Sequence, residues 1–285
     1  MNSDVETIAR ALLYEGITLY PYRNSVLKNQ QRFNFGVLLP QPFCEAAKNG
    51  DTWFQQTQCL LQAEASARLR ICVRFLQLHD HSVLERECRL PETAIKPGTW
   101  TQTFCWSGEQ EVFAEIRLDC EKVAADLYRV TLRNRNATVM SNPDASLREE
   151  ALPFGMLAVH SILTVKDGTW ISLLDPPPQV QGSAAGCENI GAWPVLAGNS
   201  SLQNTMLSSP IILYDYPQIA PESTGDFFDG LEIDELLMLR ILTLTDEEKQ
   251  AMRESDQPAR EILARAENLP AEQLLKLHGA WRAQK

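Results

Sequence analysis

The sequence predicts an α+β protein. Its body is β-rich, an antiparallel sandwich or curved sheet, with a buried helix inside and a C-terminal set of short helices. Three observations carry this. Segments between 57 and 138 alternate apolar and polar residues with period two, the pattern of half-buried strands. Residues 151–165, ALPFGMLAVHSILTV, are apolar on nearly all sides and span about four helical turns, which predicts the buried helix. Beyond 218 the alternation gives way to helical patterns with capping signals. The expected division is a body over 1–217 and an acidic loop with a helical segment over 218–285.

Taken in order, SDVETIARALLY (3–14) predicts a helix, with Ser3 or Asp4 as cap, Ile8, Ala11 and Leu12 on one face, and Gly16 as terminator. FNFGVLLP (33–40) predicts a strand stopped by Pro40. TQCLLQA (57–63) and ARLRICVRFLQLHD (67–80) predict two strands. In the second, Leu69, Ile71, Val73 and Phe75 alternate with Arg70, Cys72, Arg74 and Leu76. His79-Asp80-His81 then suits a tight hairpin leading into SVLERECRL (82–90). EVFAEIRLDCEKV (111–123) and DLYRVTLRNRNAT (126–138) predict two more strands, joined by a turn at Ala124–Ala125.

NPDASLREE (142–150) predicts a turn and a helix start, which the buried helix continues, with Pro153 in or near its first turn. TWISLLD (169–175) predicts a strand stopped by three prolines. Residues 179–205 look irregular, and SPIILYDYP (209–217) holds one more short strand. LEIDELLMLRIL (231–242) predicts a helix. So does the segment after Thr245, whose Glu248 completes a capping box. The last two helices each carry a proline near the first turn, Pro258 and Pro270.

The composition, 44% hydrophobic and 22% charged over 285 residues, is that of a globular chain and too apolar for disorder. No apolar run reaches the ~18 residues of a membrane span. The N-terminal segment lacks the pattern of a signal peptide, so the expectation is a cytoplasmic protein without membrane insertion. Seven cysteines, scattered singly and without a CxxC, predict free thiols in a reducing compartment. The net charge is −11, of which −8 falls in residues 221–257. That excess makes bulk binding to nucleic acid repulsive.

Against this background LYPYRNSVLKNQQRFNFG (19–36) stands out. It carries Tyr20, Tyr22, Arg23, Lys28 and Arg32, a run of amides and no acid. Its cations either pair with internal carboxylates or form an anion or partner site, for which arginine supplies bidentate geometry. The acidic counterpart is PESTGDFFDGLEIDELL, with Asp226, Asp229, Glu232 and Asp234 among its carboxylates. These acids serve as a solvated loop-to-helix cap, as a docking surface for a basic partner, or as oxygen ligands.

Catalytic signatures are missing: there is no nucleophile elbow, no HExxH, no phosphate loop and no dinucleotide fingerprint. His160 falls on the apolar segment, where a satisfied core histidine is expected. His79 and His81 belong at a hairpin tip, and His278 near a helix end complements the dipole. No cofactor and no metal site are expected.

Several long motifs resemble those of an uncharacterised family of bacterial proteins. They are LLYEG and LYPYR (12–16, 19–23), SLLDPP (172–177), WPVLAG (193–198), the run from MLSSPIILYDYPQIAPES to LTDEEK (206–249) and LHGA (277–280). Members of that family are encoded in gene clusters for nickel–iron hydrogenases and their maturation factors. The resemblance implies a non-enzymatic accessory or assembly factor that binds a hydrogenase subunit or a maturation protein. It carries over no catalytic residue. One alternative is an enzyme or cofactor-handling protein. Its pocket would lie between residues 14–36 and 206–230, with Tyr14, Glu15, Arg23, Asp215 and Tyr216 converging. A second is a structural subunit of a larger complex. An open surface with exposed tyrosine and leucine favours the assembly role, and a lined pocket favours the enzyme.

Overall fold

A computed structural model describes residues 3–14, 35–79, 82–107, 110–143, 147–218, 241–254 and 257–268. The chain forms two compact units. Residues 1–13 with 35–217 make the first, and 14–34 with 218–285 the second.

The first unit is one curved antiparallel sheet, a half-barrel of nine strands. The strands are β1 (Phe54–His79), β2 (Ser82–Arg89), β3 (Thr93–Ala94), β4 (Gly98–Trp106), β5 (Val112–Lys122), β6 (Leu127–Asn136), β7 (Leu157–Ile171), β8 (Trp193–Leu196) and β9 (Thr205–Ser209). The order is β4-β5-β6-β1-β7-β9-β8. β1 is the spine. One of its edges pairs first with β6, over Phe54–Gln62, and then with β3 and β2. Its other edge pairs with β7 over Leu60–Leu76. The two segments predicted at 57–63 and 67–80 are therefore one 26-residue strand. A strand that long must bend, and it does so at an irregularity between Ala63 and Arg68.

Alternation puts Cys59, Leu61, Leu69, Ile71, Val73 and Phe75 of β1 on the inner face, with Val112, Ile116, Val130, Leu132, Leu163 and Trp170. Phe75 meets Trp106 edge-on at 5.1 Å, so the β4 end of the sheet curls back toward the second half of β1. The opposite rim is closed by polar groups. Gln55 donates to the Val159 carbonyl at 3.2 Å, Asn134 to Ser161 Oγ at 2.9 Å, and the Thr57 and Ser208 hydroxyls lie 2.6 Å apart. These six residues are all buried, and their directional bonds fix which strand end meets which.

The predicted buried helix over 151–165 is overturned. Only α3 (Arg148–Ala151) and a single 3-10 turn precede Gly155, and 157–171 is the strand β7. Both faces of this strand are covered from Leu157 through Leu163, so this stretch has no exposed polar face to mark a strand period. A pattern apolar on every side does not separate helix from strand, and the β-branched Val159, Ile162, Thr164 and Val165 favour the strand. The strand expected at 169–175 is the end of β7 and stops at Ile171. Of the strand expected at 33–40, the described residues 35–40 hold only isolated bridges at Leu38, parallel to Thr52 and antiparallel to Met156, and Pro40 instead opens α2 (Gln41–Ala47). Residues 179–205 are not wholly irregular, since they hold α4 (Gln181–Ala185) and β8.

Helix α1 (Ser3–Tyr14) forms where the sequence places it, with Val5, Ile8, Ala9, Leu12 and Leu13 buried. In the second unit, α5 (Asp246–Glu254) starts at the predicted capping box. The Thr245 hydroxyl accepts the Glu248 N–H, and the Glu248 carboxylate accepts that of Thr245. α6 (Gln257–Asn268) follows and joins α5 through Arg253–Glu267 at 2.8 Å. The helix predicted over 231–242 lies outside the described residues except at its last two, and that predicted from Pro270 onward lies wholly outside them. No described helix is long and apolar enough to cross a membrane.

Candidate functional site

Three of the sequence motifs singled out above meet at one place in the first unit. SLLDPP contributes Ser172, at the bend after β7. WPVLAG contributes Leu196, the last residue of β8. The segment 209–217 contributes Asp215 and Tyr216. Asp215 Oδ2 accepts the Ser172 hydroxyl at 2.5 Å and Oδ1 accepts the Leu196 N–H at 2.7 Å. The Tyr216 N–H returns a bond to the Leu196 carbonyl at 2.6 Å. Ser172 Oγ also accepts the N–H groups of Leu174 at 3.1 Å and Asp175 at 3.0 Å.

This arrangement is a clamp. A hydroxyl has one proton and two lone pairs, and Ser172 spends all three. Its proton goes to a carboxylate and both lone pairs to backbone amides, so it is held as a hub and not poised as a nucleophile. Tyr216 takes φ +57°, a conformation that costs a bulky L-residue free energy, so the contacts around it must hold it there. Its ring packs on the inner core.

The clamp also closes the sheet. β8 is the terminal strand, and its outward backbone groups are those of Pro194 and Leu196, because Ala197 donates inward to Thr205 on the β9 side. Proline has no N–H to offer. Leu196 gives its N–H to Asp215 and its carbonyl to Tyr216. No donor on this edge is left for a foreign strand.

Between β9 and the clamp runs a strap, residues 210–217, fixed at both ends. At the near end Pro210 sits against Gly36, whose φ is +54° and where a Cβ would fall 2.6 Å from Pro210 Cγ. The Ser209 hydroxyl donates to the Ile211 carbonyl at 2.7 Å. Along the strap residues alternate, and the outward ones are Ile212, 72% exposed, and Tyr214, 86% exposed. Trp193, across from Ser209 in the β8–β9 ladder, is 39% exposed. The strap thus holds two large apolar side chains in water on a backbone that is pinned.

Among the residues expected to form a pocket, Asp215 and Tyr216 are in the clamp. Tyr14 ends α1 and is buried, and Glu15 lies outside the described residues. Tyr20, Tyr22, Arg23, Lys28 and Arg32, and Asp226, Asp229, Glu232 and Asp234, also lie outside them. Ser172 and Leu196 lie within SLLDPP and WPVLAG but carry no functional signal of their own in the sequence. A serine four residues before a proline run gives no sign of its partner 43 residues later.

The remaining titratable cluster lies on the outer face of β1. Arg74 binds Glu6 of α1 at 2.5 Å and Glu87 of β2 at 3.0 Å, and Arg89 also bonds Glu87. Burial works to raise the Glu87 pKa, but the bonds and charges of Arg89 and Arg74 outweigh it and hold this carboxyl below its usual range. His160 faces Arg74 in the β1–β7 register and is fully buried. It lies on a strand, not on the expected helix. Its Nδ1 is 3.1 Å from the Ala158 carbonyl; a carbonyl only accepts, so Nδ1 carries the proton. Burial first, and the charge of Arg74 second, push its pKa down to about 4 against the opposing pull of the Ala158 bond. This imidazole is neutral at neutral pH.

All seven cysteines are free, and only Cys105 is exposed. Burial pushes the Cys72 and Cys120 thiols up to about 11 and Cys44 up to about 12, which makes them inert at neutral pH. Among the described residues no three His, Cys, Asp or Glu side chains are grouped to hold a metal ion. Comparison with protein-family models, curated proteins and solved structures gives no match to this chain.

Proposed function

We propose that the protein is a non-enzymatic accessory or assembly factor that works by binding another protein, with the 210–217 strap as a contact. The observation that carries this reading is the display of Ile212 and Tyr214 on a clamped loop. Exposing large apolar groups is unfavourable, and pinning the backbone beneath them removes the ordering cost of binding. Aromatic anchors presented rigidly are what dominate binding energy at interfaces. The Ser172–Asp215 pair, the nearest thing to a catalytic constellation here, is fully used in holding the strap. The partner we propose is a nickel–iron hydrogenase subunit or a maturation protein, in the cytoplasm. That part of the proposal rests on the resemblance of the motifs, three of which build the clamp and strap.

The test is affinity purification of the tagged protein from its host under hydrogenase-inducing conditions, beside the double variant Ile212→Asp, Tyr214→Ala. The expected result is co-purification of a hydrogenase subunit or maturation factor with the unaltered protein. Retention should fall by about 30-fold in the variant, corresponding to roughly 2 kcal/mol for a lost anchor. Equal retention by both proteins removes the strap from the interface. A partner unrelated to hydrogenase refutes the specific assignment while leaving the binding role.

A further inference from the structure

The outer face of the β1–β7 pair carries a groove of about 390 Å³ that the partner-binding reading does not use. Its origin is the irregularity in β1. Ala63 pairs with Gly168 and Arg68 with Lys166, so residues 64–67 of β1 stand against the single residue 167 of β7. Asp167 absorbs the mismatch at φ +58°. Bulges of this kind re-aim side chains and recur beside binding sites. Here Arg68 re-enters the ladder directly opposite Lys166.

Like charges directly opposite on antiparallel strands repel, at a spacing of about 5 Å between Cβ atoms. Neither cation has a carboxylate within ion-pairing distance among the described residues. Arg68 is also held in place: its Nη1 donates to the carbonyls of Ser66 at 2.9 Å and Ala67 at 3.2 Å. That leaves Nε and Nη2 for another acceptor. Around this pair the lining supplies neutral donors. The Asn204 carbonyl oxygen already accepts the Thr205 hydroxyl at 3.2 Å, which leaves its NH₂ group to donate, and Thr164 adds a hydroxyl. At the rim Arg70 is paired with Glu92 at 3.1 Å through exposed side chains, an interaction that water and salt weaken. In a chain of net charge −11, this groove is lined by three cations against two acids.

We propose that the groove binds a small oxyanion, the phosphate or carboxylate group of a small molecule, between the Arg68 guanidinium and the Lys166 ammonium. The guanidinium offers two parallel donors and the ammonium a point charge, the usual complement to such a group. An anion there also relieves the cross-strand repulsion. Glu92 and Asp167 restrict the ligand to a single anionic group, because a second would meet their carboxylates.

The test is titration calorimetry of the full chain with sodium phosphate and, separately, sodium acetate, at constant ionic strength set with chloride. Phosphate and acetate distinguish the two head groups. The expected result is saturable binding of at least one of them, weakened about tenfold or more in Arg68→Gln, Lys166→Gln. Glu92→Gln frees Arg70 and is expected to tighten binding several-fold, an outcome that misfolding cannot imitate. Saturable binding of neither anion overturns the proposal. So does binding that is unchanged in the double variant.

Discussion

His160 makes the β body acid-sensitive in a window of its own. The perturbation is His160→Asn, which keeps a donor for the Ala158 carbonyl and removes the titrating group. In the folded protein the imidazole titrates at about 4, and in the unfolded chain at its ordinary 6.5. Between these values the unfolded chain binds one more proton than the folded one, so stability is full above pH 6.5 and falls as pH drops toward 4. The slope is about 1.4 kcal/mol per pH unit, which amounts to about 2 kcal/mol lost between pH 7 and pH 5. Glu87 and Asp119, both held below the usual carboxylate range, lose their contributions in the same direction. They do so only once pH falls below their unfolded values near 4.5 and 3.8, and so leave the interval from 7 to 5 to His160. Urea unfolding followed by tryptophan fluorescence measures this, since five of the six tryptophans (53, 100, 106, 170 and 193) lie in the first unit. The variant should be less stable at pH 7, because smaller Asn leaves a cavity, yet flat from pH 7 to 5. If it loses the same 2 kcal/mol as the unaltered protein, the argument from burial is wrong.

Two further outcomes follow from the site. Asp215→Ala leaves the Leu196 N–H and the Ser172 hydroxyl without their acceptor and should cost about 1–3 kcal/mol in urea unfolding of the β body. A cost below 0.5 kcal/mol would mean that the clamp does not hold the strap. Titration of the native protein with a thiol reagent at pH 8 should show one fast thiol, Cys105, a slower one at half-buried Cys187, and the other five only on unfolding. Fast reaction of more than two would contradict the burial of Cys44, Cys59, Cys72, Cys88 and Cys120.

What the sequence made legible follows from which patterns are one-sided. β5 and β6 have one polar face, and their alternation identifies both as strands. The Thr245–Glu248 capping box identifies a helix start from four residues, because the bonds it predicts are local. β7 failed for the opposite reason: covered on both faces, it has no polar face to report a period. Alternation runs on through AEASA (63–67), with Ala63 and Ala67 buried and Glu64 and Ser66 exposed, but alanine is a weak strand former and hid the joining of 57–63 with 67–80. As for the site, sequence marked Asp215 and Tyr216 but assigned them to a pocket. It had no access to Ser172 and Leu196, whose roles depend on long-range hydrogen bonds. The open edge of a sheet is a property of topology, and no residue in β8 announces it beyond Pro194.

The spine strand has a bearing on how this chain reaches its fold. β1 zips locally with β2 through His79–Ser82, but its pairing with β6 waits for residues near 130, and Leu60 waits for Ile171, roughly a hundred residues later. On the ribosome the apolar row from Cys59 to Phe75 is made long before its partners exist, and it ends in the strand-forming Ile71, Val73 and Phe75. Of the charged residues interleaved with it, Glu64, Arg68, Arg70 and Arg74, the three arginines are therefore gatekeepers during synthesis before they are ligands or ion-pair partners. Nascent-chain exposure, more than final stability, is where substitutions that neutralise those arginines should first be felt, as lost soluble yield.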